Sequence, residues 1–269
     1  MNFFNILDKI EKFDGDAYER ISYTSRRYFL NKVSTKVAAA AAPAILAGSL
    51  NKAYAQSADA VAVLQFALKL EYLESEFYEL GNKKAGLIPD MYKDVFYTIG
   101  EHEKDHVTFL LTALKDAAEP KPAFDFTAGG AFSPWTKFDD FVFLSHAFED
   151  TGVRAYKGQA GKLINDDAIL EAALQIHSAE ARHAAISRNI LSKIRNNAAI
   201  KPCITNSEGS PAPVYAGDDV VVQLGVNILD LDLSMIPEPM RFKAISESFD
   251  EPLTKEEVFA IVTPFIAMT

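Results

Sequence analysis

The sequence predicts an all-α protein. The expected architecture is a four-helix bundle with a long crossover between its second and third helices, followed by an irregular C-terminal extension. Three observations carry this reading. Four long stretches repeat apolar residues at helical spacing. Two of them carry Glu-x-x-His inside the apolar arc, at Glu103–His106 and Glu180–His183. A connector rich in Pro and Gly, residues 119–136, separates the two halves.

Taken in order, residues 1–55 read as an export signal rather than part of the fold. Ser25-Arg26-Arg27-Tyr28-Phe29-Leu30 is a twin-arginine pattern, Val37 to Ala47 is a mild Ala-rich apolar run, and Ala53-Tyr54-Ala55 is a small-x-small cleavage site. The mature chain is then expected to begin at Gln56, after passage through the twin-arginine export machinery, and to be periplasmic or extracellular in a bacterium. A net charge of −10 argues against a nucleic-acid partner. No run of 18 or more strongly apolar residues is present, so no membrane anchor is expected in the mature form. The single cysteine, Cys203, cannot form an internal disulfide and reads as a packed or loop thiol.

The bundle is expected over residues 56–195. Asp59 to Leu80 is the first helix. Leu64, Leu68, Leu73, Phe77 and Tyr78 fill one arc, and Glu71 and Glu74 lie inside it. Gly81-Asn82 reads as its C-terminal stop. The second helix runs from Pro89-Asp90 to about Ala117, with Glu103 and His106 in the middle of the arc of Phe96, Ile99, Val107, Leu110 and Leu114. The connector EPKPAFDFTAGGAFSPWT holds no helix and is long enough to cross from one end of a bundle to the other. The third helix, about Lys137 to Leu163, places Glu149 with Phe141, Val142, Ser145, Val153 and Tyr156. Gly152 stands one turn from Glu149, where a close approach is allowed. The fourth helix, from Asn165-Asp166 to about Arg195, carries Glu180 and His183 with Ile169, Ile176, Ser187 and Leu191. Residues 196–269 are expected to be an extension packed on the bundle. Within it Val220 to Leu224 reads as a short strand, and Thr254-Lys255-Glu256-Glu257 is a capping box opening a short helix to Val262.

The two halves repeat one arrangement. Glu71 is followed seven residues on by Tyr78 and then by Glu103-x-x-His106; Glu149 is followed seven residues on by Tyr156 and then by Glu180-x-x-His183. Residues i and i+3 lie about 60° apart and roughly 4.5 Å along a helix axis, so each Glu and His of a pair can reach one ion. Four carboxylates in a helical interior would each lose hydration at several kcal/mol. Lys and Arg are expected on the outer arcs, so two divalent cations are the expected compensation. Glu74 shares the arc of Glu71 and competes with it as a ligand, and the Tyr at +7 favours Glu71. His146 and His177, one turn before Glu149 and Glu180, are either extra ligands or hydrogen-bond donors beside the ligands. His102 lies at the edge of its arc and is expected to be partly solvated.

One Glu from each of two helices with Glu-x-x-His from each of two others resembles the ferritin-like di-metal carboxylate superfamily. The segments LEYLESEFYELG, LSHAFEDTGVRAYKG and FDEPLTKEEV are similar to its desiccation-related proteins. The resemblance implies Glu71, Glu103, His106, Glu149, Glu180 and His183 as ligands of two divalent ions, iron or manganese. It also implies Glu103 and Glu180 as bridges. Tyr78, Tyr156, His146, His177 and Glu74 are then expected to support the ligands. An exported protein of this kind is expected to remove peroxide or oxidise Fe²⁺ under oxidative or drying stress, with O₂ or peroxide as small substrates and a homo-oligomer as a candidate assembly. A non-catalytic metal-binding or structural stress protein is the alternative, and no catalytic residue is assigned.

Overall fold

The computed structural model describes residues 58–267; the expected twin-arginine region, residues 1–55, lies outside them. The described chain is all-α apart from one two-stranded hairpin. The bundle consists of α1 (Ala58–Lys83), α2 (Asp90–Leu114), α3 (Phe138–Ala160) and α4 (Asp167–Ile194). Helices α1 and α2 pack along each other, as do α3 and α4, and α1 lies on α3. A 3₁₀ turn, Lys115–Ala117, and the irregular connector carry the chain from the first hairpin to the second.

Gly81 does not stop α1. The helix runs two residues further, and Gly81 is buried inside it. A Cβ there would sit 2.2 Å from the Phe141 ring, so the missing side chain admits an aromatic from α3. Phe141 in turn stacks on Phe77 at 4.8 Å, within a cluster that includes Phe96, Phe126 and Phe148. A second apolar cluster, with Leu64, Leu68, Leu110, Leu114, Ile169 and Ile176, fills the rest of the bundle. In α2 and α4 the acidic positions fall between these two clusters, and in α1 and α3 the acids lie among residues of the first.

The extension folds onto α3 and α4. It contains α5 (Ala212–Tyr215), strands β1 (Val222–Gln223) and β2 (Val226–Asn227), α6 (Glu238–Ser246) and α7 (Lys255–Val262). The strands form an antiparallel hairpin around Leu224 and Gly225, both at positive φ, as a two-residue turn of matching twist needs. Thr254 caps α7 through the capping box with Glu257. The end of the chain pairs with the connector: Asp125 N donates to Phe265 O at 2.8 Å, and Ala267 N to Ala123 O at 2.9 Å.

Lys and Arg are not confined to the outer arcs. Arg154 on α3 and Arg188 on α4 are both buried, and both face the extension. Arg154 donates to the backbone carbonyls of Glu251, Val214 and Ala216. Arg188 pairs with Asp150, 2.6 Å away, and Tyr215 donates its hydroxyl to the same carboxylate. These arginines hold the extension and leave the central acids without an arginine or lysine partner. No helix among the described residues is long and apolar enough to cross a membrane.

Candidate metal centre

Five carboxylates meet at mid-bundle. Glu71, Glu103, Glu149 and Glu180 are fully buried, and Glu74 is 2% exposed. Each is carried by the apolar arc of its helix, so helix packing itself forces the acids inward. Two imidazoles join them, His183 buried and His106 nearly so. Two donor sets result, Glu71, Glu103, His106 and Glu180, and Glu103, Glu149, Glu180 and His183, each with its ligand atoms within 4.8 Å of one another. Glu103 and Glu180 belong to both sets.

The distances describe convergence rather than a hydrogen-bond network. His106 Nδ1 lies 3.1 Å from Glu71 Oε2, 3.1 Å from Glu103 Oε2 and 3.2 Å from Glu180 Oε1. His183 Nδ1 lies 2.8 Å from Glu103 Oε1 and 3.2 Å from Glu149 Oε2. One ring nitrogen carries at most one proton, so it cannot serve two or three acceptors. Neither the Glu103 Oε1 nor the Glu180 Oε1 contact lies along a hydrogen-bond direction. With Glu180 Oε2 and Glu74 Oε2, four buried carboxylate oxygens in one place are left without a hydrogen bond.

The electrostatics agree. Burial pushes the carboxyl of Glu71 up to about 8 against the pull of His106. Burial, reinforced by neighbouring carboxylates, pushes Glu74 and Glu180 well above the ordinary range. Burial also raises Glu149. Glu103 moves the other way: His106 and His183 overcome burial and hold it far below. Both imidazoles are raised although burial opposes it, His106 by Glu103 and Glu71, and His183 to about 11 by Glu149 and Glu103. Without ions, the cluster compensates its charge with protons.

The outer contacts are reciprocal between the two halves. Tyr78 on α1 donates to Glu149 Oε1 on α3, and Tyr156 on α3 donates to Glu71 Oε1 on α1, both at 2.5 Å. Tyr78 also contacts Ser145, which contacts Ser187. Burial raises both phenols well above their usual pKa, so they remain donors.

Two expectations for the surroundings are corrected. His146 does not stand beside the acids. Its Nε2 lies 3.2 Å from Ser210 O, and its ring packs on Tyr215. His177 contacts Val153 O at 2.9 Å and borders a cavity with Ser248, Phe249 and Asp250. One helical turn back from Glu149 and Glu180 rotates about 60° in the sense opposite to the +3 positions, Gly152 and His183, that face the centre, and so aims both rings elsewhere. His102 is exposed at the edge of its arc, as expected, and it also reaches across to α4. Its Nδ1 lies 2.9 Å from His183 Nε2. Nothing in the sequence pairs these two, because they lie 81 positions apart and outside the Glu-x-x-His spacing. Cys203 is free and half-buried, away from the acids.

No curated protein matches the chain. The sequence pattern of the family described as "Ferritin-like domain" matches residues 59–193, which runs from the start of α1 to the end of α4 and contains all the converging donors. The chain belongs to the ferritin-like domain family.

Proposed function

We propose that this chain binds two divalent ions, iron or manganese, through Glu71, Glu103, His106, Glu149, Glu180 and His183, with Glu103 and Glu180 shared between them. The observation that carries this is His106 Nδ1 set within 3.2 Å of three carboxylates that it cannot all hydrogen-bond. The donor chemistry fits: carboxylate oxygen and imidazole nitrogen suit both metals, and the orphaned oxygens need a cation.

Such ions, when bound, supply one-electron redox change at each metal and an open position for dioxygen or peroxide. The chain's own residues do the rest. Tyr78 and Tyr156 each occupy one oxygen of a lone Glu and so fix the orientation of the other. With Nδ1 of His183 held by an ion, the remaining ring proton would sit on Nε2, 2.9 Å from His102 Nδ1, and its donation there would fix the tautomer. The two apolar clusters keep bulk water from both ends of the site.

The activity we infer is peroxide removal or Fe²⁺ oxidation. Its setting would be an exported compartment under oxidative or drying stress, supported by the twin-arginine pattern at Ser25–Leu30 and by the segments similar to desiccation-related proteins. Elemental analysis of the protein from its native compartment, followed by peroxide and Fe²⁺ oxidation assays, tests this. Two equivalents of iron or manganese with turnover are expected, and a metal-free native protein overturns it. Full burial of four of the donors favours a second reading, in which the ions only stabilise the bundle. Loss of melting temperature on chelation, with no turnover in either assay, would select it.

A further inference from the structure

Of the five carboxylates that meet at mid-bundle, the six donors leave one unused. Glu74 stands one turn beyond Glu71 on α1, and its Oε2 has no hydrogen-bond partner. The charged groups that weigh most on it are all carboxylates: Glu180, Glu149, Glu71 and Glu103 in that order. No arginine or lysine offsets it, since Arg154 is committed to the carbonyls of the extension and Arg188 to Asp150 on α3 and the Cys203 carbonyl.

The internal repeat shows why it fits. Glu71, Tyr78, Glu103 and His106 correspond to Glu149, Tyr156, Glu180 and His183. On that correspondence the mate of Glu74, three residues after the lone Glu, is Gly152. A Cβ at Gly152 would lie 2.8 Å from Glu180 Oε2 and 3.3 Å from Glu74 Oε1. Both carboxylates therefore occupy the space that a side chain on α3 would fill. The symmetry of the centre breaks at this pair: one half contributes an acid, and the other contributes the room for it.

Charge points the same way. Two divalent ions balance four carboxylates, and a fifth ionised among them is an added anion that at this depth must either hold a proton or share an ion. We propose that Glu74 is a further metal ligand, supplied from α1 to one of the two ions, beside the Glu180 oxygen that faces Gly152, which makes the two ion positions unequal. The proposal rests on the two-ion reading above. It assigns Glu74 Oε2 and Glu180 Oε2 to the same ion, leaving Glu180 Oε1 beside His106 for the other.

The test uses the full chain, stripped of metal and loaded anaerobically with ⁵⁷Fe²⁺. Stepwise affinities come from competition with a chelating dye, and Mössbauer spectra report how many ferrous environments exist. The wild-type chain is expected to bind two ions of unequal affinity and to show two quadrupole doublets. Glu74→Gln keeps the shape of the side chain and removes its charge. It is expected to weaken one step by about 10–100-fold, to leave the other within about twofold, and to shift one doublet. Glu74→Asp keeps the charge but withdraws it by one methylene, and is expected to follow Glu74→Gln. If the wild-type chain binds two ions and both variants match it in affinity and spectrum, Glu74 is not a ligand and the two-ion centre stands. Glu74 is likewise ruled out as a ligand if Glu74→Asp alone matches wild type, since nearby charge would then be enough. A wild-type chain that takes up no iron overturns both readings.

Discussion

His106 Nδ1 has one position for a proton or an ion and three carboxylate oxygens around it. That mismatch is the smallest unit of the site, and its surroundings are tuned one hydrogen bond at a time. Tyr78 and Tyr156 are the clearest handles, because each holds a single oxygen of the opposite lone Glu. Tyr78→Phe or Tyr156→Phe is expected to reduce affinity for at least one ion by about tenfold or more. Each should also cost about 1–3 kcal/mol of metal-free stability by orphaning a buried acceptor. Dye competition and urea unfolding measure the two effects separately. These tyrosines were legible in the sequence because a Glu-to-Tyr spacing of seven residues, repeated in both halves, keeps the pair on one helical face. His102 was not legible. A periodicity reports which arc a residue occupies on its own helix and is blind to the ring of α4 facing it. His146 and His177 failed in the opposite direction, close to the acids along the helix but rotated away from them.

At the scale of elements, what the sequence hid is how the extension docks. Helix α3 serves two neighbours. One face carries Glu149 to the centre, and the other carries Arg154 and Gly158 to the segment before α7. Leu253 N donates to Arg154 O at 3.1 Å, and a Cβ on Gly158 would lie 2.0 Å from Leu253 O and 3.1 Å from its carbonyl carbon. Backbone cannot yield as a side-chain tip can, so Gly158→Ala is expected to cost about 1–3 kcal/mol by overpacking. Arg154→Met would leave three carbonyls and the nearby Asp218 without their cation, at a cost of about 3–5 kcal/mol. Chemical denaturation checks both, and a midpoint unchanged by Arg154→Met would mean that the extension does not depend on this anchor. The four helices, the connector and the capping box at Thr254 could be read from period, Pro/Gly content and local spacing. Gly81 and Arg154 could not, because the reason for each is a partner on another element: a Phe141 ring in one case and the carbonyls of a distant loop in the other.

For the molecule as a whole, the centre links stability to protons and to ions with opposite signs. In the metal-free chain the carboxyls of Glu71, Glu74, Glu149 and Glu180 and both imidazoles are raised, so the folded state holds protons that the unfolded state releases earlier. For Glu71 that stability is complete below its ordinary value of 4.5 and is lost as pH climbs through about 8. For His183 it is complete below 6.5 and is lost as pH climbs through about 11. Glu103 has the reverse sign, its contribution being lost as pH falls, so it matters only at the acid end. The metal-free protein is therefore expected to melt at progressively lower temperature from about pH 6 to about pH 9. Ions compete with those protons, so their advantage grows over the same interval. An ion at a hundred times its dissociation constant contributes about 2.7 kcal/mol. For a chain of this size two such ions correspond to roughly 10–20 °C in melting temperature. Calorimetry with and without chelator at the two pH values checks this: chelation should lower the melting temperature more near pH 9 than near pH 6. A chelation loss equal at both, or none at either, would mean that the buried acids are balanced by something other than exchangeable metal.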